Sequence, residues 1–163
     1  MVRYLFVLAS ALFCVSCGGD ESRDGDSPAT ADAGMSPSGG EDGSPDTFVA
    51  GLERTGSAGV FSIRLTDSVP TPRDTGLYTW TIELIDGDGQ PVSGATIQAE
   101  PTMPAHGHGT NPKYTDATET AAPGSYELIE MDLFMEGVWN VMIRVSTDDD
   151  RQDQIEYNFY LEG

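Results

Sequence analysis

Between residues 48 and 163, apolar and polar side chains alternate in short runs separated by turn-forming residues. Residues 59–66 put Phe61, Ile63 and Leu65 on one face, and residues 77–86 do the same for Tyr78, Trp80, Ile82 and Leu84. A period of two places alternate side chains on one side of an extended chain, so each run predicts a half-buried β-strand. The second run ends at Asp86-Gly87-Asp88-Gly89, whose Asp-Gly pairs predict a hairpin turn. Residues 92–99 then resume the alternation through Ala95, Ile97 and Ala99.

A stretch rich in Pro, Gly and Thr follows, and after it come three more runs. Residues 125–131 carry Tyr126 and Leu128, and residues 154–161 carry Ile155, Tyr157, Phe159 and Leu161. Between them, residues 137–146 set Trp139, Val141, Ile143 and Val145 inward against Asn140 and Arg144 outward. No window sustains a helical period, and β-branched and aromatic residues dominate the runs. Six to seven strands in this length predict an all-β, immunoglobulin-like β-sandwich. Neither of the two cysteines, Cys14 and Cys17, falls in this region, so its stability rests on a packed core without a disulfide.

The pattern ahead of residue 48 is different. Residues 4–15 are almost wholly apolar behind Arg3, too short to span a bilayer but suited to an export signal over residues 1–16. Cys14-Val15-Ser16-Cys17 followed by Gly18-Gly19 resembles a bacterial lipobox, with small Ser16 ahead of the modified cysteine and Cys14 where Leu is usual. That resemblance implies a covalent lipid on Cys17 and a membrane contact made through the lipid alone. It also implies residence in the cell envelope, with Gly18 favouring the outer membrane, facing the periplasm or the surface. Residues 17–47 hold Gly, Ser, Asp, Pro and Ala with scarcely a large apolar side chain, which predicts a disordered acidic linker. The organisation read from the sequence is therefore signal (1–16), lipidated linker (17–47) and sandwich domain (48–163).

Charge narrows the partners. The formal net charge is −19, and loss of the signal with its single Arg3 leaves about −20. Such a surface repels phosphate backbones, which excludes nucleic acid, and it repels anionic head groups as well. Cationic, neutral or metallic partners fit.

The chain's two histidines lie two residues apart in Met103-Pro104-Ala105-His106-Gly107-His108-Gly109, between two predicted strands. In an extended backbone the side chains at i and i+2 share a face, so His106 and His108 can converge on one ion. Met103 could add a thioether, and imidazole with thioether suits copper. Met131 and Met135 flank the turn into the strand bearing Trp139 and could complete the set. The plainer alternative is that the methionines fill the core and the histidines cap a Gly-rich loop. An enzyme lacks parts here: no serine or cysteine nucleophile sits in a recognisable motif, and the reading is a binding protein.

Taken together, Val92-Ser93-Gly94-Ala95, Met103-Pro104 with His106-Gly107-His108-Gly109, Gly124-Ser125-Tyr126 and Phe134-Met135-Glu136-Gly137-Val138-Trp139 resemble the FixH/YtkA-like family. The similarity spans about residues 60–161, nearly all of the predicted domain. It implies an immunoglobulin-like extracytoplasmic domain, linked in some members to copper handling or respiratory oxidase assembly. FixH members carry a transmembrane helix where this chain has a lipobox. Two functions therefore stand side by side: copper binding or delivery through the Met/His loop, and a metal-free domain that docks another envelope protein.

Overall fold

Each of the six alternating runs contains a strand in the computed structural model, which describes residues 44–163. The signal, Cys17 and the linker as far as residue 43 lie outside the described residues. The strands are β1 (Leu52–Thr55), β2 (Phe61–Val69), β3 (Gly76–Asp86), β4 (Thr96–Met103), β5 (His108–Gly109), β6 (Thr115–Glu119), β7 (Ser125–Leu133), β8 (Gly137–Ser146) and β9 (Gln152–Leu161). Among the described residues there is no helix, and all nine strands pair antiparallel in the order β1-β2-β3-β7-β6-β4-β8-β9, with β5 on β4. The all-β expectation holds, with nine strands in place of six to seven. The additional ones, β1, β5 and β6, are short and have no fully buried side chain, so they carry no alternating apolar face to read.

The path forms two layers joined at β6. One layer is β1-β2-β3-β7 and the other is β4-β8-β9, while β6 pairs with β7 through Ala117↔Leu128 and with β4 through Ala99↔Thr115. Trp80 of β3 meets Tyr157 and Phe159 of β9 edge-on, at ring-centroid distances of 5.9 and 5.5 Å. These are contacts between layers, and each such aromatic pair adds about 0.5–1.5 kcal/mol beyond the area it buries. Around them Phe61, Ile63, Leu65, Ile82, Leu84, Tyr126, Leu128, Trp139, Val141, Ile143 and Ile155 complete one core.

The Asp86–Gly89 signal does make a tight turn: the Asp86 carboxylate accepts hydrogen bonds from the backbone N–H groups of Asp88 (3.0 Å) and Gln90 (2.8 Å). It does not make the expected hairpin, because β7 already occupies that edge of β3. The returning chain keeps only an Ile85↔Pro91 bridge and a Val92 N–H bond to the Leu84 carbonyl before crossing to the other layer. Tyr126 ties this crossing down, its hydroxyl donating to the Val92 carbonyl (2.9 Å) and accepting from the Ala95 N–H (3.0 Å).

A second irregularity sets the phase of β7. Tyr78 pairs with Met131 and Trp80 with Leu128, so Ile129 and Glu130 together face the single Thr79. Within this bulge Glu130 takes the left-handed conformation, at φ 62°. As a result Leu128 and Met131, three residues apart, both point into the core.

At the start of the domain, backbone pairing begins at Asp46, which bridges to Phe159 and binds the Asn158 N–H through its carboxylate. Among the described residues no helix is long and apolar enough to cross a membrane.

Candidate functional site

The His-Gly-His segment is the tip of a hairpin. β4 ends at Met103, whose carbonyl accepts hydrogen bonds from the N–H groups of His106 (3.0 Å) and Gly107 (2.9 Å). Residues 104–107 therefore curl into a turn, and β5 comes back along β4 with His108 opposite Met103 and Gly109 opposite Thr102. Two glycines make this possible. Gly107 sits at φ +67°, a conformation that costs an L side chain about 1–2 kcal/mol. At Gly109 a Cβ would fall 2.5 Å from the Pro101 carbonyl oxygen, so only glycine lets β5 approach.

The imidazoles do meet, though by a route other than the extended backbone that the spacing suggests. The turn brings the rings of His106 and His108 to a centroid distance of 5.7 Å with their planes tilted by 53°. Both side chains are exposed. With metal–nitrogen bonds of about 2.0 Å, two imidazoles on one ion hold their centroids roughly 4.5–6.3 Å apart, depending on the angle at the metal. The observed 5.7 Å lies within that range of separations. Among the described residues no group of three or more His, Cys, Asp or Glu side chains surrounds a common point.

The methionines divide. Met103 underlies the hairpin but is only 1% exposed, and its methyl carbon would be 2.9 Å from a Cβ placed on Gly137. Met135 is partly buried against the core, and its carbonyl accepts a 2.8 Å bond from the Trp139 indole N–H. Met131 is fully buried on β7, across from Tyr78. The fold thus gathers Met103, His106 and His108 on one hairpin, links Met135 to it through Trp139, and makes Met131 part of the core.

Two further residues belong to the site and carried no such role in the sequence reading. Phe134 stacks nearly parallel on His108, with centroids 6.0 Å apart and planes 16° from coplanar. Trp139 presents an edge contact to both, at 6.4 Å from His108 and 5.8 Å from Phe134. Phe134 is 48% exposed, so an aromatic ring stands in solvent beside the imidazoles. The signal available in the sequence was a phenylalanine in a turn, between Leu133 and Met135, where the alternation of β7 breaks.

Elsewhere the electrostatics are internal. Each basic side chain of the described residues is ion-paired: Arg54 with Asp46, Arg64 with Glu53 and Glu83, Arg73 with Glu162, Lys113 and Arg144 with Glu100, and Arg151 with Asp149. Glu100 holds two cations at once, 2.9 Å from the Lys113 ammonium and 2.7 Å from the Arg144 guanidinium. The Lys113 bond, helped by Arg144 and opposed by partial burial, holds its carboxyl below the ordinary range. The surplus charge left for partners is negative.

The family model described as YtkA-like matches residues 58–144, from the turn before β2 into β8. No curated protein matches the chain. Among solved structures, CopC from Methylosinus trichosporium OB3b aligns with a TM-score of 0.40 and 17% identity, over 60% of this chain and 91% of that chain.

Proposed function

This chain belongs to the YtkA-like family, and we propose that it is an extracytoplasmic binding protein that takes up and passes on copper through His106 and His108. The observation that carries the reading is the pair of exposed imidazoles 5.7 Å apart on a hairpin whose shape depends on Gly107 and Gly109. His106 and His108 would hold the ion, and Met103, paired with His108 across the hairpin, would be the thioether beneath it. Copper bound there supplies a soft, redox-active centre, and two exposed protein ligands leave it open to exchange with a partner. The lipobox at Cys17 supports anchorage in the cell envelope through a lipid, and the acidic linker supports a domain free to range from that anchor.

The test is a competition titration of the protein with Cu(I) and with Cu(II), alongside a His106→Ala/His108→Ala double variant. Copper binding that disappears in the variant supports the proposal, and binding that is unchanged removes these histidines from it.

One observation favours the metal-free alternative. Phe134 stands half-exposed against His108, as a ring that docks into a partner's pocket would. Under that reading the hairpin tip and Phe134 form a recognition surface for another envelope protein. Recovery of one partner equally well with and without chelator, and its loss in Phe134→Ala, would support docking over copper.

A further inference from the structure

The contacts around His108 specify more than its presence. Its Nδ1 lies 3.4 Å from the carbonyl oxygen of Gly109, at the long end of hydrogen-bond range. A carbonyl oxygen only accepts, so this contact is a hydrogen bond in the tautomer that carries its proton on Nδ1, the one that leaves the lone pair on Nε2. The contact persists only while the plane of the imidazole is kept, and two aromatic rings stand against that plane. Phe134 lies nearly parallel to the imidazole in an offset stack, with centroids 6.0 Å apart, while Trp139 stands edge-on to it. Trp139 is itself fixed by burial and by its indole bond to the Met135 carbonyl, in the same turn that carries Phe134.

We infer that Phe134 is a positioning residue of the metal site: by stacking on His108 it holds the imidazole with Nδ1 toward Gly109 and Nε2 available to the ion. The inference rests on the copper reading and adds to it the ligating atom and the residue that sets it. A partner that fixes the tautomer and plane of a ligating histidine contributes typically tenfold or more to metal affinity. Because Phe134 is half-exposed, its replacement removes the stack without emptying the core.

The experiment uses the full chain in three forms, native, Phe134→Leu and Phe134→Tyr. Copper affinity is measured by competition, and the histidine tautomers are read from nitrogen-15 shifts of the metal-free protein. The chain has two histidines, so a His106→Gln variant assigns the resonances. The expected result is a neutral His108 protonated on Nδ1 in the native and Tyr forms, with mixed tautomers in the Leu form. Affinity should fall about tenfold in Phe134→Leu and be restored in Phe134→Tyr. A native His108 protonated on Nε2, or equal copper affinity in native and Phe134→Leu, overturns the inference alone. A native chain that binds no copper overturns the copper reading, and this role of Phe134 with it.

Discussion

Gly56 lies so close to Asp153 that a Cβ on the glycine would fall 2.2 Å from the carboxylate carbon. The closeness has a purpose in the fold. The Asp153 carboxylate, buried at the start of β9, accepts backbone hydrogen bonds from Ala58 and Val60 (2.8 Å each), Phe61 (3.0 Å) and its neighbour Gln154 (2.8 Å). One side chain thereby pins the β1–β2 turn to the opposite layer. Gly56→Ala must push the carboxylate off these donors, and bonds to a charged acceptor are worth about 1.5–3 kcal/mol each. Gly56→Ala should therefore lose about 2–4 kcal/mol of stability, measured as a lower urea midpoint. A midpoint equal to the native one would show that the turn does not depend on this contact.

The same carboxylate makes stability depend on pH. Burial favours the neutral acid, yet the N–H groups of Phe61, Ala58, Gln154 and Val60 outweigh it and hold Asp153 below its ordinary 3.8. A folded value below the unfolded one means that the unfolded chain takes up the proton first as pH falls. The contribution is therefore complete above 3.8 and drains away as pH falls through the lower folded value. Asp153→Asn lacks this titration, so the gap in urea midpoint between it and the native protein should be wide near about pH 7 and narrow near about pH 2.5. A gap of constant width would assign the acid sensitivity to other carboxylates, Glu100 first among them.

How far the sequence disclosed this molecule depended on whether a residue's role was local. Strands with one buried face announce themselves by alternation, which is why Phe61, Ile63 and Leu65 or Trp139, Val141 and Ile143 were legible. β1, β5 and β6 bury no complete face and left no pattern. The Asp86–Gly89 turn was legible because its bonds are internal to it, but the partner of the next strand was not. That depended on β7, some forty residues later, occupying the edge of β3. Likewise the two histidines could be paired from their spacing, whereas the burial of Met131 depended on the Glu130 bulge and the Phe134 stack on the turn between β7 and β8. Long-range register decided each of these, and register is not written in any one segment.

The edge contact between His108 and Trp139 gives the site an internal reporter. The chain has two tryptophans, and Trp80 sits in the core against Tyr157 and Phe159. Cu(II) held by the imidazoles should quench the Trp139 share of the emission through its proximity to the 6.4 Å ring contact. Trp139→Phe should show little quenching of its remaining Trp80 emission, and the double histidine variant little quenching of either. Equal quenching in all three proteins would show that Cu(II) acts elsewhere.

The hairpin tip allows backbone strain and copper binding to be separated. Gly107 and Gly59 both sit at φ +67° with open space around the position of a Cβ, so alanine at either faces the same backbone penalty without a clash. Each variant should lose about 1–2 kcal/mol in urea denaturation. Their effects on copper should differ, because Gly107 shapes the turn between the two imidazoles whereas Gly59 lies in the turn before β2. Gly107→Ala should weaken copper binding and Gly59→Ala should leave it unchanged. Gly109→Ala sharpens the comparison: its Cβ meets the Pro101 carbonyl oxygen at 2.5 Å, and a backbone atom cannot swing aside as a flexible side chain would. β5 must lift from β4, carrying His108 away from His106, so this variant should lose more copper affinity than Gly107→Ala. Equal affinity in all three glycine variants would mean that the hairpin's shape does not set the site.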